Sequence, residues 1–198
     1  MRLLALAFLV FLAACTDDKK PAALSSTSQS SFSNEMNQDF KGVLDSYYNL
    51  SELLVNWDST AIDSAAMQLK EKVDQLSARM DTATGALKSR LATGDTAFSE
   101  VRNTALELTV TKDLTARRHS FHILSENLFR FLETAGYDQS RIYLHECTMP
   151  FNDTGRGVWL SKTEDKRNPY LGLHHPYYKA GMLECGTLEG KIDRVKEN

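Results

Sequence analysis

The sequence has few prolines and cysteines, no surplus of charge of one sign and no hydrophobic run of membrane-spanning length. Its 4 prolines and 10 glycines in 198 residues exclude a collagen-like or wholly disordered chain. The 23 basic and 26 acidic side chains give a net charge of −3, so a protein that coats nucleic acid is also excluded. What remains is enough apolar material, 42% of the residues, to bury the core of one ordinary domain.

The longest apolar run lies at the N-terminus, from Leu3 to Ala14. It is too short to span a bilayer, which takes about 20 residues. Arg2 before it and small residues at its end are typical of a secretory signal peptide over residues 1–14. The end of the run, Leu-Ala-Ala-Cys15, resembles the bacterial lipobox, whose cysteine is diacylated, with palmitate for example. We therefore expect export and lipid anchoring through Cys15 to the periplasmic or surface face of the outer membrane. An ordinary secretion signal is the alternative.

The chain behind Cys15 divides into a linker and one domain. Residues 15–33 carry the lipidated cysteine and a segment rich in serine and threonine, which cannot bury a core and predicts a flexible linker. Residues 34–198 form the domain, with a helical part over 34–136 and a tail over 137–198 that contains the other two cysteines.

Apolar residues recur at three- and four-residue steps in four stretches of the helical part, and the four predicted helices run from about Met36 to Trp57, Ala61 to Met80, Asp95 to Val110 and Leu114 to Gly136. Between the second and third, residues 81–94 are less regular, and we expect a frayed helix or a loop there. The predicted fold is mainly α, an up-down four-helix bundle with an irregular, loop-rich C-terminal tail that contains a short strand or hairpin.

Two histidines lie one turn apart on the fourth predicted helix, His119 and His122. Such a pair can bind a metal ion. The positive charges of Arg117 and Arg118 beside them disfavour a bound cation, so we expect ordinary helix side chains. We expect Arg118 to pair with a carboxylate of a neighbouring helix and to stabilise the bundle.

The tail contains a group of sulfur-bearing side chains. In an extended chain alternate side chains share a side, so His145, Cys147 and Met149 point one way. Met182 and Cys185 lie three residues apart, a spacing that one turn brings together. Thiolate and thioether donors suit a soft ion, copper(I) above all. A disulfide between Cys147 and Cys185 is the open alternative, because an exported compartment permits it.

Four tail motifs resemble those of one uncharacterised bacterial domain family, and they are Cys147-Thr148-Met149, Trp159-Leu160-Ser161, Arg167-Asn168-Pro169-Tyr170-Leu171-Gly172 and Met182-Leu183-Glu184-Cys185-Gly186. The fourth predicted helix also resembles the last helix of the family, through Arg118, Phe121, Leu124 and Ser125. The resemblance therefore covers roughly Met36 to Leu188. The family occurs alone in exported proteins of Bacteroidetes-type bacteria and attached to adaptor proteins of copper and silver efflux systems. The resemblance implies a helical domain that handles metal, with efflux components as partners.

Two departures from the family pattern affect the predicted site. Thr148 and Pro150 stand where the family commonly has proline and alanine, which changes the turn after Cys147. Residues 173–181 form a longer joint than the family's, and it contains His174 and His175. This insertion either enlarges the site or is a surface loop.

The sequence therefore predicts a lipoprotein that binds copper, with candidate ligands Cys147, Met149, Met182, Cys185, His145, His174 and His175. The alternative is an envelope interaction module without metal, stapled by a disulfide across a 39-residue loop. Such a staple would stabilise the fold by roughly 4 kcal/mol. We expect no enzyme, because the sequence lacks a phosphate-binding glycine loop, a dinucleotide fingerprint and a metalloprotease helix motif. We expect no small-molecule substrate.

Overall fold

The computed structural model describes residues 30–151 and 155–195. Within these ranges the chain forms five α-helices and a small antiparallel sheet. The helices are α1 Asn34–Val55, α2 Ser59–Asp81, α3 Gly85–Thr93, α4 Asp95–Val110 and α5 Leu114–Ala135, and the strands are β1 Ile142–Cys147, β2 Gly157–Ser161 and β3 Thr187–Ile192. The predicted signal peptide, Cys15 and the linker up to residue 29 lie outside the described residues.

The ends of the long helices follow local signals in the sequence. Asp58 begins α2, because its carboxylate accepts hydrogen bonds from the main-chain N–H groups of Thr60 and Ala61. Gly136 ends α5 with a φ of 77°, the left-handed conformation that glycine adopts most easily. The end of α5 at Gly136 confirms the prediction.

The described residues contain a fifth helix, α3, where we expect a frayed helix or a loop, so the four-helix bundle stays a prediction. Leu91 is the only buried residue of this nine-residue segment. One buried apolar residue produces no periodic stripe in the sequence, so the segment read as a frayed helix or a loop.

The long helices enclose a common aromatic core. α1 packs on α2, α2 on α4, and α4 on α5. Phe40 of α1 stacks on Phe131 of α5, and Tyr47 of α1 stacks on Phe121 of α5 at a ring separation of 4.9 Å. The mainly helical class is confirmed, while the up-down order of the long helices stays a prediction.

The tail contains a three-stranded antiparallel sheet, with strand order β2-β1-β3, where we expected one short strand or a hairpin. β1 begins at Ile142 and confirms that the tail contains a short strand. β2 was missed because its first four residues are all buried, so the sequence shows no alternation. β3 was missed for the opposite reason, since most of its residues are exposed.

Side chains of the helices bind the edge of β2 that is not paired with β1. The N–H group of Val158 donates to Nδ1 of His122 on α5, and that of Leu160 donates to the hydroxyl of Tyr47 on α1. The same Tyr47 hydroxyl lies 2.6 Å from Oγ of Ser125. These bonds satisfy edge groups that would otherwise be open to another strand, and they fix the sheet against the bundle.

The last residues of the predicted linker pack on the domain. Ser33 caps α1, and Phe32 is 6% exposed beneath the guanidinium of Arg90. Ser30 and Ser31 donate to the carboxylate of Asp138.

Across the described residues, no helix has the length and hydropathy needed to cross a bilayer.

Candidate functional site

Cys147 and Cys185 form a pair of free thiols in the tail. Cys147 ends the central strand β1 and is 1% exposed. Cys185 is partly buried and follows a short 3-10 helix at Ala180–Met182. Their sulfur atoms lie 3.1 Å apart and are not bonded as a disulfide. The structure thus brings together the two side chains on which both interpretations of the sequence depend.

Asn168 holds the chain around Cys185, and it is itself 0% exposed. Its side-chain oxygen accepts hydrogen bonds from the N–H groups of Tyr170 and Leu171, at 2.8 and 3.0 Å. Its side-chain nitrogen donates to the carbonyl of Cys185 at 3.0 Å. In the sequence, Asn168 is part of a tail motif and of a turn-forming Asn-Pro pair, and neither assigns it a role at the site. The Asn-Pro dipeptide, a turn-forming signal, could have indicated its structural role.

Arg118 joins the turn at Asn168 and Pro169 to the end of α1. Its Nε donates to the carbonyl of Pro169 at 3.0 Å, and one of its terminal nitrogens donates to the carbonyl of Leu54 at 2.9 Å. The guanidinium lies 3.9 Å from the ring centre of Trp57. Burial lowers the pKa of Arg118 to about 10. Within the described residues it makes no salt bridge, so the predicted pairing with a carboxylate was wrong, and main-chain carbonyls take its place.

Gly186 allows the chain around Cys185 to lie close against β1 and Trp159. Its φ is 145°. A Cβ atom at this position would lie 2.7 Å from both the carbonyl oxygen of Glu146 and the indole ring of Trp159. Only glycine therefore fits directly after Cys185.

His145 lies on the same buried side of β1 as Cys147, as the alternation predicted. Its ring stacks on Trp159 at a centroid distance of 5.3 Å, and Nε2 lies 2.9 Å from Oγ of Ser161. Burial lowers the pKa of His145. Its Nδ1 is buried and has no hydrogen-bond partner among the described residues.

The other predicted ligands lie around the pair or apart from it. Met149 and Met182 are partly buried against the core, and the N–H group of Cys185 donates to the carbonyl of Met182. His174 is exposed. His175 is turned toward its own loop and Trp57, because Nδ1 accepts from the N–H groups of Tyr177 and Tyr178, both at 3.2 Å, and the ring meets the Trp57 ring edge-on. In the ranges that the structure covers, no three histidine, cysteine or acidic side chains form a group that would hold a metal ion.

The aromatic residues of the tail divide into two sets. Trp159 and Tyr170 are 1% and 2% exposed, and the ring of Tyr170 packs on Phe121 of α5. Tyr177 and Tyr178 are exposed at the surface of the insertion. The first pair therefore belongs to the core, and the second pair does not.

The two helical histidines have structural contacts. His119 stacks on Phe151 at 4.5 Å, and His122 accepts the Val158 N–H group that fixes β2. Burial lowers the pKa of His122. These contacts agree with the prediction of ordinary helix side chains, although the bond to β2 left no signal in the sequence.

The environment of Cys185 disfavours its thiolate. Burial raises the pKa of this thiol to about 11, and the contact with Cys147 acts in the same direction. The charge of Lys166 opposes this rise. At neutral pH the thiol is protonated, so the binding of a metal ion must release its proton.

Residues 43–140 match the family model described as "Protein of unknown function (DUF3347)". This match is consistent with the predicted resemblance to an uncharacterised domain family. The match covers most of the helical part and ends before β1, so the four tail motifs lie outside it. Neither a curated protein nor a solved structure matches the chain.

We expect the free energy of unfolding to fall as the pH is lowered from 7 to 5.5. Burial lowers the pKa values of His122, His145 and His175 in the folded chain. The unfolded chain binds these protons near pH 6.5, and the folded chain binds them only at lower pH. The unfolded state thus binds more protons in this window, which makes stability rise with pH. Urea unfolding at several pH values measures the effect.

The variant His122→Gln should weaken this pH dependence, because a glutamine oxygen accepts a hydrogen bond without titrating. The exposed His174 provides the matched control, and His174→Gln should leave the dependence unchanged. Equal stability of the wild type at pH 7 and pH 5.5 would contradict the prediction.

Proposed function

We propose that this chain is an exported, lipid-anchored protein in which Cys147 and Cys185 together bind one soft transition-metal ion, with copper(I) as the first choice. The observation that carries the proposal is the 3.1 Å separation of two sulfur atoms from residues 38 positions apart. Thiolate sulfur is a preferred ligand of copper(I). Met149 and Met182, partly buried next to the two cysteines in sequence, are the candidate thioether ligands.

The spacing of the pair fits a shared ion after a small movement. Two sulfurs on one tetrahedral ion lie about 3.8 Å apart when each metal–sulfur bond is about 2.3 Å. The sulfurs of Cys147 and Cys185 are 3.1 Å apart, so they need to separate by less than one ångström. Because Cys147 is fixed in the sheet, the movement falls to Cys185.

Two sequence features support the cellular part of the proposal, the lipobox-like segment and the tail motifs. The lipobox-like segment at Cys15 supports export and attachment to the cell envelope. The tail motifs resemble those of domains attached to copper and silver efflux adaptors, which supports a role in metal handling beside efflux components. The proposal includes no catalytic step.

A disulfide is the second candidate state of the same pair, and the same distance favours it. A disulfide bond is about 2.05 Å long, so the sulfurs would have to approach by about 1 Å. The protein would then be a stapled envelope module without metal. The two states exclude one another in any one molecule.

Copper titration of the full chain under anaerobic, reducing conditions tests the proposal. We expect about one copper(I) per chain, because two thiolates and neighbouring thioethers form one site for a soft ion. Cys147→Ser and Cys185→Ser should each abolish the uptake. Bound copper is measured by elemental analysis after removal of free ion.

Two control variants separate this site from other sulfur atoms. Cys15→Ser removes the expected lipid site, and Met67→Leu removes a thioether that is 57% exposed on α2. Both should bind copper like the wild type. Uptake that persists in both single-cysteine variants rules out the proposal. Two thiols that resist labelling in the natively exported protein until it is reduced would favour the staple.

A further inference from the structure

The two cysteines of the pair are held in different ways. Cys147 is fixed by the sheet, since it ends the central strand and is almost fully buried. Cys185 lies on residues 183–186, which we name the Cys185 arm, between the short 3-10 helix and β3. The distance between the sulfurs therefore depends on what holds this arm.

Asn168 binds the Cys185 arm at two points. Its main-chain N–H donates to the carbonyl of Leu183 at 2.8 Å, and its side-chain nitrogen donates to the carbonyl of Cys185 at 3.0 Å. The side-chain oxygen accepts from two N–H groups on the opposite side, at Tyr170 and Leu171. Because only the oxygen can accept those bonds, the amide nitrogen has to face Cys185.

The buried position of Asn168 strengthens its hydrogen bonds to the Cys185 arm. Asn168 is 0% exposed, so water has little access to its side-chain amide. The carbonyl of Cys185 is partly buried, and without this donor it loses its partner, so the chain relaxes to find another one. Loss of the amide nitrogen would therefore displace Cys185 rather than leave it in place.

We propose that Asn168 is the positioning residue that sets the distance between the two thiols. It thereby sets both the affinity of the pair for a soft metal ion and the stability of its disulfide. The metal half rests on the proposed function, and the disulfide half does not. In the redox reaction, glutathione disulfide oxidises the two thiols to one disulfide. The two electrons and two protons that leave the cysteines form two molecules of reduced glutathione.

The test uses Asn168→Asp in the full chain, because aspartate keeps the size and the accepting oxygen but loses the donor to Cys185. Two equilibria are measured, the thiol–disulfide equilibrium with glutathione and the copper(I) affinity in competition with a copper(I) chelator. We expect the equilibrium constant for disulfide formation and the copper(I) affinity each to fall roughly tenfold, as for the loss of one partly buried hydrogen bond.

Asn127 provides a matched control, since it is 8% exposed and donates to the carbonyl of Ile123 within α5. Asn127→Asp should lower the melting temperature and leave both equilibria at the wild-type value. If aspartate at position 168 prevents folding, Asn168→Ser replaces it. A serine hydroxyl can accept from the turn but is too short to reach the carbonyl of Cys185.

The outcomes separate this proposal from the proposed function. A wild-type chain that takes up no copper refutes the metal site, while the glutathione equilibrium still decides the role of Asn168. A folded Asn168 variant with wild-type equilibria, whatever its melting temperature, overturns the proposal.

Discussion

Gly172→Ala should destabilise the protein by about 4 kcal/mol, which combines the strain of a non-glycine residue at positive φ with a backbone clash. Gly172 has a φ of 53°, and an added Cβ would lie 2.3 Å from the carbonyl oxygen of Val55. That carbonyl, at the end of α1, accepts the N–H group of Leu173 at 2.8 Å. The methyl group would push the turn away from α1 and break this bond. Urea unfolding of wild type and variant measures the loss.

Two other glycines separate the two causes. Gly85 has a φ of 58° and nothing within 4 Å of an added Cβ, so Gly85→Ala should cost only the conformational strain, about 1 kcal/mol. Gly181 has open space and no positive φ, so Gly181→Ala should be nearly neutral. Equal losses at Gly172 and Gly85 would show that the approach to Val55 contributes nothing.

The helical part was readable from the sequence wherever one face of a helix is buried. Met36, Phe40, Tyr47 and Leu54 repeat at helical steps, and all four are buried in α1. In α3 a single buried residue leaves no period to read. Local pattern therefore found the long helices and the end of α5 at Gly136, and it failed where packing alone stabilises a short helix.

The sheet and the site depend on contacts between distant residues, which a local pattern does not encode. β2 carries no alternation because side chains from α1 and α5 cover it, and the bond from Val158 to His122 joins residues 36 positions apart. The sequence indicated that Cys147 and Cys185 act together through residue chemistry. It did not indicate Asn168 as the residue that brings Cys185 into place.

Replacing Arg118 with methionine should destabilise the protein by about 3 kcal/mol, because two buried carbonyls lose charge-assisted donors while the cost of burying the guanidinium is recovered. The carbonyls are those of Leu54, at the end of α1, and Pro169, in the turn that Asn168 organises. Methionine fills the apolar part of the space but donates no hydrogen bond. Denaturant unfolding measures the loss.

Arg117 makes the matched control, since it is the neighbouring buried arginine on α5 and pairs with Asp63 instead of the tail. Arg117→Met should also lower stability, but it should leave the thiol–disulfide equilibrium of Cys147 and Cys185 unchanged. Arg118→Met should shift that equilibrium as well, because its loss frees the turn that carries Asn168. If both variants leave the equilibrium at the wild-type value, Arg118 stabilises the bundle only and does not hold the site.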